Sequence, residues 1–125
     1  MVRRIEERDR DDFFRLSAQF YDSPAVLHPI PAGYHEKTFE EMMRSRAYAD
    51  GCMLEADGEC VGFGLVAKTW SREAGGMALW LEELFILPQY RSRGLEEDNT
   101  RARALYARLG YCPLGYLQMV KDLRG

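Results

Sequence analysis

Two short stretches of the chain hold residue types that can do chemistry. The first runs Leu81-Glu82-Glu83-Leu84-Phe85-Ile86-Leu87-Pro88-Gln89-Tyr90-Arg91-Ser92-Arg93-Gly94-Leu95. An apolar run, interrupted by two carboxylates, ends at a proline and passes into a turn with two arginines, a serine and a glycine. Such a turn can aim backbone N–H groups and cations at a phosphate; the same residues also make an ordinary solvated basic turn. The second stretch runs from Asp98 to Tyr111 and contains Asn99, Ala102 and Tyr106. These stand three and four residues apart, so on a helix they share one face, with the small Ala102 leaving room between two polar tips. Taken alone, this is an ordinary amphipathic helix.

The elements that must position these stretches follow from periodicity. Apolar and charged residues alternate over residues 2–6, which predicts a short strand. Residues 9–21 are acidic at the start and apolar at Phe13, Phe14, Leu16, Phe20 and Tyr21, a helical period. Pro24, Pro29 and Pro31 make 22–33 a loop, of the kind that often lines sites. Phe39, Met42, Met43 and Ala47 predict a second helix over 38–48, with the methionines as core. Strands over 51–56 and 59–70 flank an Asp57-Gly58 turn, and a third strand over 77–87 follows a loop at 71–76. A helix over 98–110, capped by Asp98 or Asn99 and closed by Gly110, precedes a strand over 114–120. Strands in meander order after two helices predict one domain, residues 1–125, built on a mixed α/β sheet rather than a repeated βαβ array.

Composition narrows the function classes. The 125 residues carry 17 Lys plus Arg against 20 Asp plus Glu, a net charge of −3, without the basic excess that nucleic acid or anionic membranes demand. A local basic patch stays open. Apolar residues make up 46% and charged residues 30%, which excludes disordered, collagen-like and coiled-coil classes. No apolar run approaches the roughly 18 residues of a spanning helix. The start, Met1 to Glu7, alternates charges without an apolar signal core and reads as a mature cytoplasmic chain. The three cysteines are an odd count without CxxC spacing. In the hairpin, position 60 is expected opposite 55 and position 52 opposite 63, so Cys52 and Cys60 are expected as reduced, packed thiols. His28 and His35 make no metal set with Cys or Glu at ligand spacing, and no metal is assigned.

Together and in this order, the two stretches resemble the GNAT superfamily of acyl-CoA-dependent N-acetyltransferases. Arg91-Ser92-Arg93-Gly94-Leu95 is similar to the family's Q/R-x-x-G-x-G/A pyrophosphate loop after its fourth strand. The helix from Asn99 to Tyr106, with Leu109-Gly110-Tyr111 after it, resembles the family's asparagine-to-tyrosine helix and its LGY ending. The preceding order of strand, helix, Pro-containing loop, helix, hairpin and long strand also fits, so the resemblance covers nearly the whole chain. The run from Phe20-Tyr21-Asp22-Ser23 to His28-Pro29, with Ala74-Gly75-Gly76, is similar to a bacterial subfamily of unassigned acceptor.

The resemblance implies a GNAT-type N-acyltransferase fold. It also implies acetyl transfer from acetyl-CoA, with no metal, to a primary amine of a small molecule or peptide by direct attack in a ternary complex. A bulge in the fourth strand would free backbone groups at Leu84, Phe85 and Ile86 to bond the pantetheine arm and polarise the thioester carbonyl. Backbone amides of Arg91, Ser92, Arg93, Gly94 and Leu95 would hold the pyrophosphate. Asn99 and the space over Ala102 would take the pantetheine or phosphate side. Tyr106 would protonate the departing thiolate, a role open to a phenol because its pKa near 10 keeps it protonated at neutral pH. An amine must lose a proton before attack, so Glu82 or Glu83 is the candidate base. Strand alternation puts the two on opposite faces, and similarity to polyamine-type members selects Glu82. Glu82 also reads as an exposed strand carboxylate, and Tyr106 as a buried helix tyrosine. Tyr21, Asp22, His28 and Tyr34, with Glu82, would line a pocket favouring a cationic amine, bordered by the turn at Trp70. A homodimer covering the C-terminal strands is expected of the family.

The chain departs from the pattern in two places. Glu96 stands where the family has Gly or Ala. The loop then runs directly into Glu96-Glu97-Asp98-Asn99, without a helix of about 11 to 12 residues and a strand of about 5 to 6 before it. Roughly 20 to 30 residues are therefore either omitted near 95–96 or truly deleted. Omission is the expectation, since losing a central strand exposes sheet edges. The departures also motivate a second reading, a non-catalytic GNAT-like module that binds acyl-CoA or a partner protein.

Overall fold

In the computed structural model, the described residues are 1–93 without Ala25 and Leu27, with Arg91, Ser92 and Arg93 described as backbone. Strand β1 (Val2–Arg4) leads through a turn at Glu7–Asp9 into helix α1 (Arg10–Tyr21). Helix α2 (Gly33–Arg44) follows, then strands β2 (Ala49–Ala56), β3 (Glu59–Ser71) and β4 (Gly76–Ile86). Among the described residues the strands form one antiparallel sheet in the order β1-β2-β3-β4. No helix among them is long and apolar enough to cross a membrane.

Both helices pack on one face of the sheet. Phe13 and Leu16 of α1 and Phe39 and Met42 of α2 are buried against Ile5, Met53, Phe63 and Phe85. Each such side chain contributes about 1.5–3 kcal/mol on burial. The opposite face holds Cys52, Leu54, Val61 and Ile86 as a second buried cluster. Alternation sorts each strand between the two: Met53 and Phe63 toward the helices, Cys52 and Leu54 away from them.

The β2–β3 hairpin turns at Asp57 (φ 54°) and Gly58 (φ 79°), the pair of positive φ angles a two-residue turn of right-handed twist requires. Cys60 stands opposite Glu55, as the turn predicts, but Cys52 pairs with Gly64 rather than position 63, because the register shifts between Leu54 and Glu55. Neither pairing joins the two thiols, and both cysteines are free and buried.

Helix α2 differs most from its expected bounds, 38–48. It opens five residues earlier, where Pro31 and Ala32 carbonyls accept the N–H groups of Tyr34 (2.9 Å) and His35 (3.2 Å). A proline just before a helix loses no donor the helix needs, so Pro31 introduces the helix instead of blocking it. The helix stops at Arg44 because Arg46 takes a left-handed conformation (φ 55°), where its guanidinium bonds the Ile5 carbonyl and, at 2.7 Å, Asp50. That tertiary contact overrides the apolar spacing that carries the expected helix to Tyr48. The strands and α1 lie within two residues of their expected ends, and β1 is shorter, Val2–Arg4.

Ion pairs tie the first half together. Asp9, 2% exposed, receives both terminal nitrogens of Arg3 at 2.8 Å and the Glu6 N–H at 2.8 Å. Burial alone would raise the Asp9 carboxyl, but the Arg3 hydrogen bonds and the Glu6 amide outweigh it and hold the pKa below its ordinary value. Asp50 is fully buried among Arg4, Arg46 and Lys68. Its carboxyl is likewise held low, burial being outweighed by Arg4, the Gly51 N–H and Arg46.

Candidate active site

The site grows from an irregularity in β4. Leu65 of β3 pairs with Glu83 and the next residue, Val66, pairs with Leu81, so Glu82 is an extra residue in β4. An extra residue shifts the phase of the pleat. Leu81 lies on the Cys52 face, where its Cδ1 would be 3.8 Å from a Cβ at Gly64. Glu83, two residues on, reaches the helix face instead, and its carboxylate accepts the Tyr21 hydroxyl at 2.8 Å. Strict alternation would have left positions 81 and 83 on one face; the extra residue between them puts them on opposite faces. Glu82 itself is exposed.

Past this bulge, β4 is again regular. Leu87 N–H donates to the Val61 carbonyl at 2.8 Å. Backbone groups of an antiparallel strand alternate in direction, so those of Glu83 and Phe85 point at β3 and those of Leu84 and Ile86 point away from it. The bulge expected in this strand is therefore present, and it lies at Glu82. The expected trio also divides: Leu84 and Ile86 direct backbone groups to the outer side of β4, whereas Phe85 directs its own inward and buries its ring beside Phe63 and Phe20.

The pairing needs a close approach of β3 to β4. A Cβ at Gly62 would collide with the Phe85 carbonyl oxygen and lie 3.1 Å from Ile86 Cα. Only glycine fits there, and it fixes β4 tightly from the inner side.

Besides its bond to Glu83, Tyr21 meets two ring edges. Phe20, its neighbour at the end of α1, packs edge-on against it (5.3 Å, 86°) and against Phe63 (6.0 Å) and Phe85 (5.6 Å). From α2, the His35 ring meets Tyr21 at 5.2 Å and 71°. His35 Nδ1 lies 2.6 Å from the hydroxyl of Ser17, one turn before Tyr21 on α1. Burial lowers the His35 pKa and favours the neutral ring.

The other residues expected in an acceptor pocket stand apart from this group. Asp22 is exposed and caps α1, its N–H donating to Ala18 and Gln19 carbonyls. His28 is exposed, with Nδ1 3.3 Å from the Pro29 carbonyl. Tyr34 is 47% exposed, with Lys37 Nζ 5.5 Å from its ring centroid. Trp70 is exposed at the far end of the β3–β4 hairpin, opposite Met77. His35 and Ser17 were not among the expected site residues. The missed start of α2 hid them: with the helix opening at Gly33, His35, Phe39 and Met42 fall at helical spacing on one inward stripe, as Ser17 and Tyr21 do on α1.

The turn after β4, Pro88–Arg93, carries the backbone of Arg91, Ser92 and Arg93. Gly94, Leu95, Asn99, Ala102 and Tyr106 lie outside the described residues, as do the departure at Glu96 and the expected interruption near 95–96. Asp9, Asp12 and Cys60 bring potential ligand atoms within 4.8 Å of one another. Arg3 already engages Asp9, and burial with nearby Asp12 and Asp9 pushes the Cys60 thiol up to about 11, so this cluster reads as an ion-pair network.

Comparison with known proteins agrees with this geometry. A sequence model described as the acetyltransferase (GNAT) family matches residues 10–95, which include both helices, the bulged strand and the basic turn. No curated protein matches the chain in sequence. Among solved structures, a possible acetyltransferase from Clostridium difficile 630 superposes with a TM-score of 0.69 at 12% identity, over 94% of this chain and 93% of its own. The ribosomal-protein-alanine N-acetyltransferase of Brucella melitensis biovar Abortus 2308 gives 0.66 at 19% identity, over 99% of this chain and 86% of its own. AAC(6')-Iy, solved in complex with the bisubstrate analogue CoA-S-monomethyl-acetylneamine, gives 0.66 at 17% identity over 99% and 85%. At these identities the structural likenesses speak for the fold, and the sequence model speaks for the family. The chain belongs to the GNAT family of acetyltransferases, and it is an acyltransferase.

Proposed function

We propose that the protein transfers acetyl from acetyl-CoA to a primary amine of a small molecule or peptide by direct attack in a ternary complex. The observation that carries this reading is the phase shift at Glu82. It puts a carboxylate, Glu83, on the helix face and turns the backbone of Leu84 to the outer edge of β4, one residue away. A proton acceptor thus stands beside an edge of backbone donors, the two functions aminolysis of a thioester requires. The names of the AAC(6') structures and of the ribosomal-protein-alanine N-acetyltransferase also support an amine acceptor.

In this reading the donor's pantetheine lies along the outer side of β4, where Leu84 offers its backbone groups. An N–H at that edge stabilises the oxyanion as the amine nitrogen bonds to the thioester carbon. The amine gives its proton to a carboxylate in the β4 bulge. Glu82 and Glu83 are both at hand, and the hydrogen bond from Tyr21 favours Glu83. Collapse of the tetrahedral intermediate breaks the carbon–sulfur bond, and Tyr106 protonates the leaving thiolate. Arg91, Ser92, Arg93, Gly94 and Leu95 hold the pyrophosphate, and Asn99 and Ala102 the adjoining arm. A cytoplasmic location and a homodimer belong to the same proposal.

The test is an acetyl-transfer screen across polyamines, amino acids, aminoglycosides and peptide N-termini. Free thiol and the mass of the acetylated amine are the readouts. Amine-dependent thiol release supports the reading. A rise in melting temperature with acetyl-CoA but no transfer to any amine would point instead to a non-catalytic acyl-CoA-binding module.

A further inference from the structure

Tyr21 and Glu83 are tied to a second hydrogen-bonded pair that the reaction above does not use. Ser17 is a polar side chain only 2% exposed in the interior face of α1, and its hydroxyl lies 2.6 Å from His35 Nδ1 on α2. A buried hydroxyl carries a desolvation cost that this partner offsets. The same imidazole sets its ring against Tyr21 at 5.2 Å and 71°. Tyr21 then spans from the helix layer to the sheet and donates to Glu83 at 2.8 Å. Ser17 and Tyr21 are one helical turn apart, so the imidazole bridges both from a single position.

The connection runs α2 to α1 to β4 without a break. The Tyr21 ring is held between two edges, Phe20 at 5.3 Å and His35 at 5.2 Å. Phe20 is anchored in the aromatic core on Phe63 and Phe85, whereas His35 is anchored by Ser17. Removing the Ser17 bond frees the imidazole to turn, and the Tyr21 ring loses the edge that His35 sets against it. Its hydroxyl then samples positions away from the Glu83 carboxylate. Displacements of this order at a reacting group are costly, a 1 Å misplacement reaching about a hundredfold in rate.

We propose that Ser17 and His35 are positioning residues for the acceptor half of the site, orienting Tyr21 and through it the Glu83 carboxylate. This rests on the reading of Glu83 as the acceptor-side carboxylate. Neither Ser17 nor His35 touches the reacting atoms, so both are to be told apart from catalytic residues by which kinetic constant they move.

Three variants of the full chain test it: Ser17→Ala, His35→Phe, which keeps a ring edge and removes the nitrogens, and His35→Asn, which keeps a polar atom near the place of Nδ1. With an amine found in the acetyl-transfer screen, Ser17→Ala and His35→Phe are expected to lower kcat/KM for the amine about tenfold. The KM for acetyl-CoA should stay within about twofold, since the donor edge of β4 is untouched. His35→Asn keeps a polar atom for Ser17 but removes the ring edge against Tyr21, so it should lose a similar amount. Equal amine kinetics in wild type, Ser17→Ala and His35→Phe would overturn the proposal, as would a parallel loss for amine and acetyl-CoA.

A second measurement does not depend on turnover. The carboxyl carbon of Glu83, assigned by its disappearance in Glu83→Gln, should shift by NMR in Ser17→Ala, His35→Phe and His35→Asn. An unmoved signal overturns the proposal even if transfer is seen. Failure of the wild type to acetylate any amine would instead defeat the functional reading, while the Glu83 signal still decides whether the pair positions it.

Discussion

Two regions of the sheet handle carboxylates in opposite ways. At the β1–β2 end, Asp9 and Asp50 are buried and matched by cations, Asp9 by Arg3 and Asp50 by Arg4, Arg46 and Lys68. At the β4 bulge, Glu83 is half-buried and accepts a neutral phenol. A carboxylate gripped by guanidinium is held in its charged form, and its pKa falls, as at Asp9 and Asp50. It makes a firm strut and a poor proton acceptor. In the proposed function the first two carboxylates are scaffold and Glu83 belongs to the site.

The largest expected effect lies on the scaffold side. Asp50→Asn removes the negative partner of three cations at a fully buried position and should cost about 3 kcal/mol of stability, read by denaturant unfolding. In the wild type, the Asp50 contribution is present above the ordinary carboxyl value of 3.8 and is lost as pH falls through its lower folded value, so the variant should lose less on acidification. A loss below about 0.5 kcal/mol would mean that Asp50 is no strut.

Next comes the contact that couples the two regions. Gly62→Ala pushes a methyl into the Phe85 carbonyl and should cost about 2 kcal/mol while weakening the melting-temperature rise with acetyl-CoA. An unchanged response to acetyl-CoA would disconnect the donor edge from the β3–β4 pairing. Tyr21→Phe keeps the ring and removes the hydroxyl. A fivefold to tenfold fall in kcat/KM for the amine, about 1 to 1.4 kcal/mol, is expected with little change in stability.

The smallest effect is a pH dependence. Burial lowers the folded His35 pKa below 6.5, so the unfolded chain takes up its proton first as pH falls. Stability should therefore decline as pH drops through 6.5 toward the folded value, and His35→Phe should remove that decline. The ring faces Ser17 and Tyr21, with Glu83 beyond them, and the wild-type and variant melting curves across pH 5 to 8 carry the comparison.

The order of elements, the hairpin turn and the two core stripes were legible because each rests on local period or on a turn residue such as Gly58. Two long-range features were not. The end of α2 depends on Arg46 reaching Ile5 and Asp50, contacts no local pattern encodes. The face on which Glu83 lies depends on one inserted residue in β4, and an apolar strand reads the same with or without a bulge. Thus the sequence could single out Tyr21 and the glutamate pair, while the bond between Tyr21 and Glu83, and the place of His35 beside them, needed three-dimensional register.

The central claim is that the bulge gives the two adjacent glutamates different work. Its most direct test is kcat/KM for a transferable amine in Glu83→Gln and Glu82→Gln, each with the KM for acetyl-CoA. About a hundredfold loss is expected in Glu83→Gln and less than about threefold in Glu82→Gln, with an unchanged acetyl-CoA KM in both. A hundredfold loss in Glu82→Gln with Glu83→Gln near wild type would contradict it.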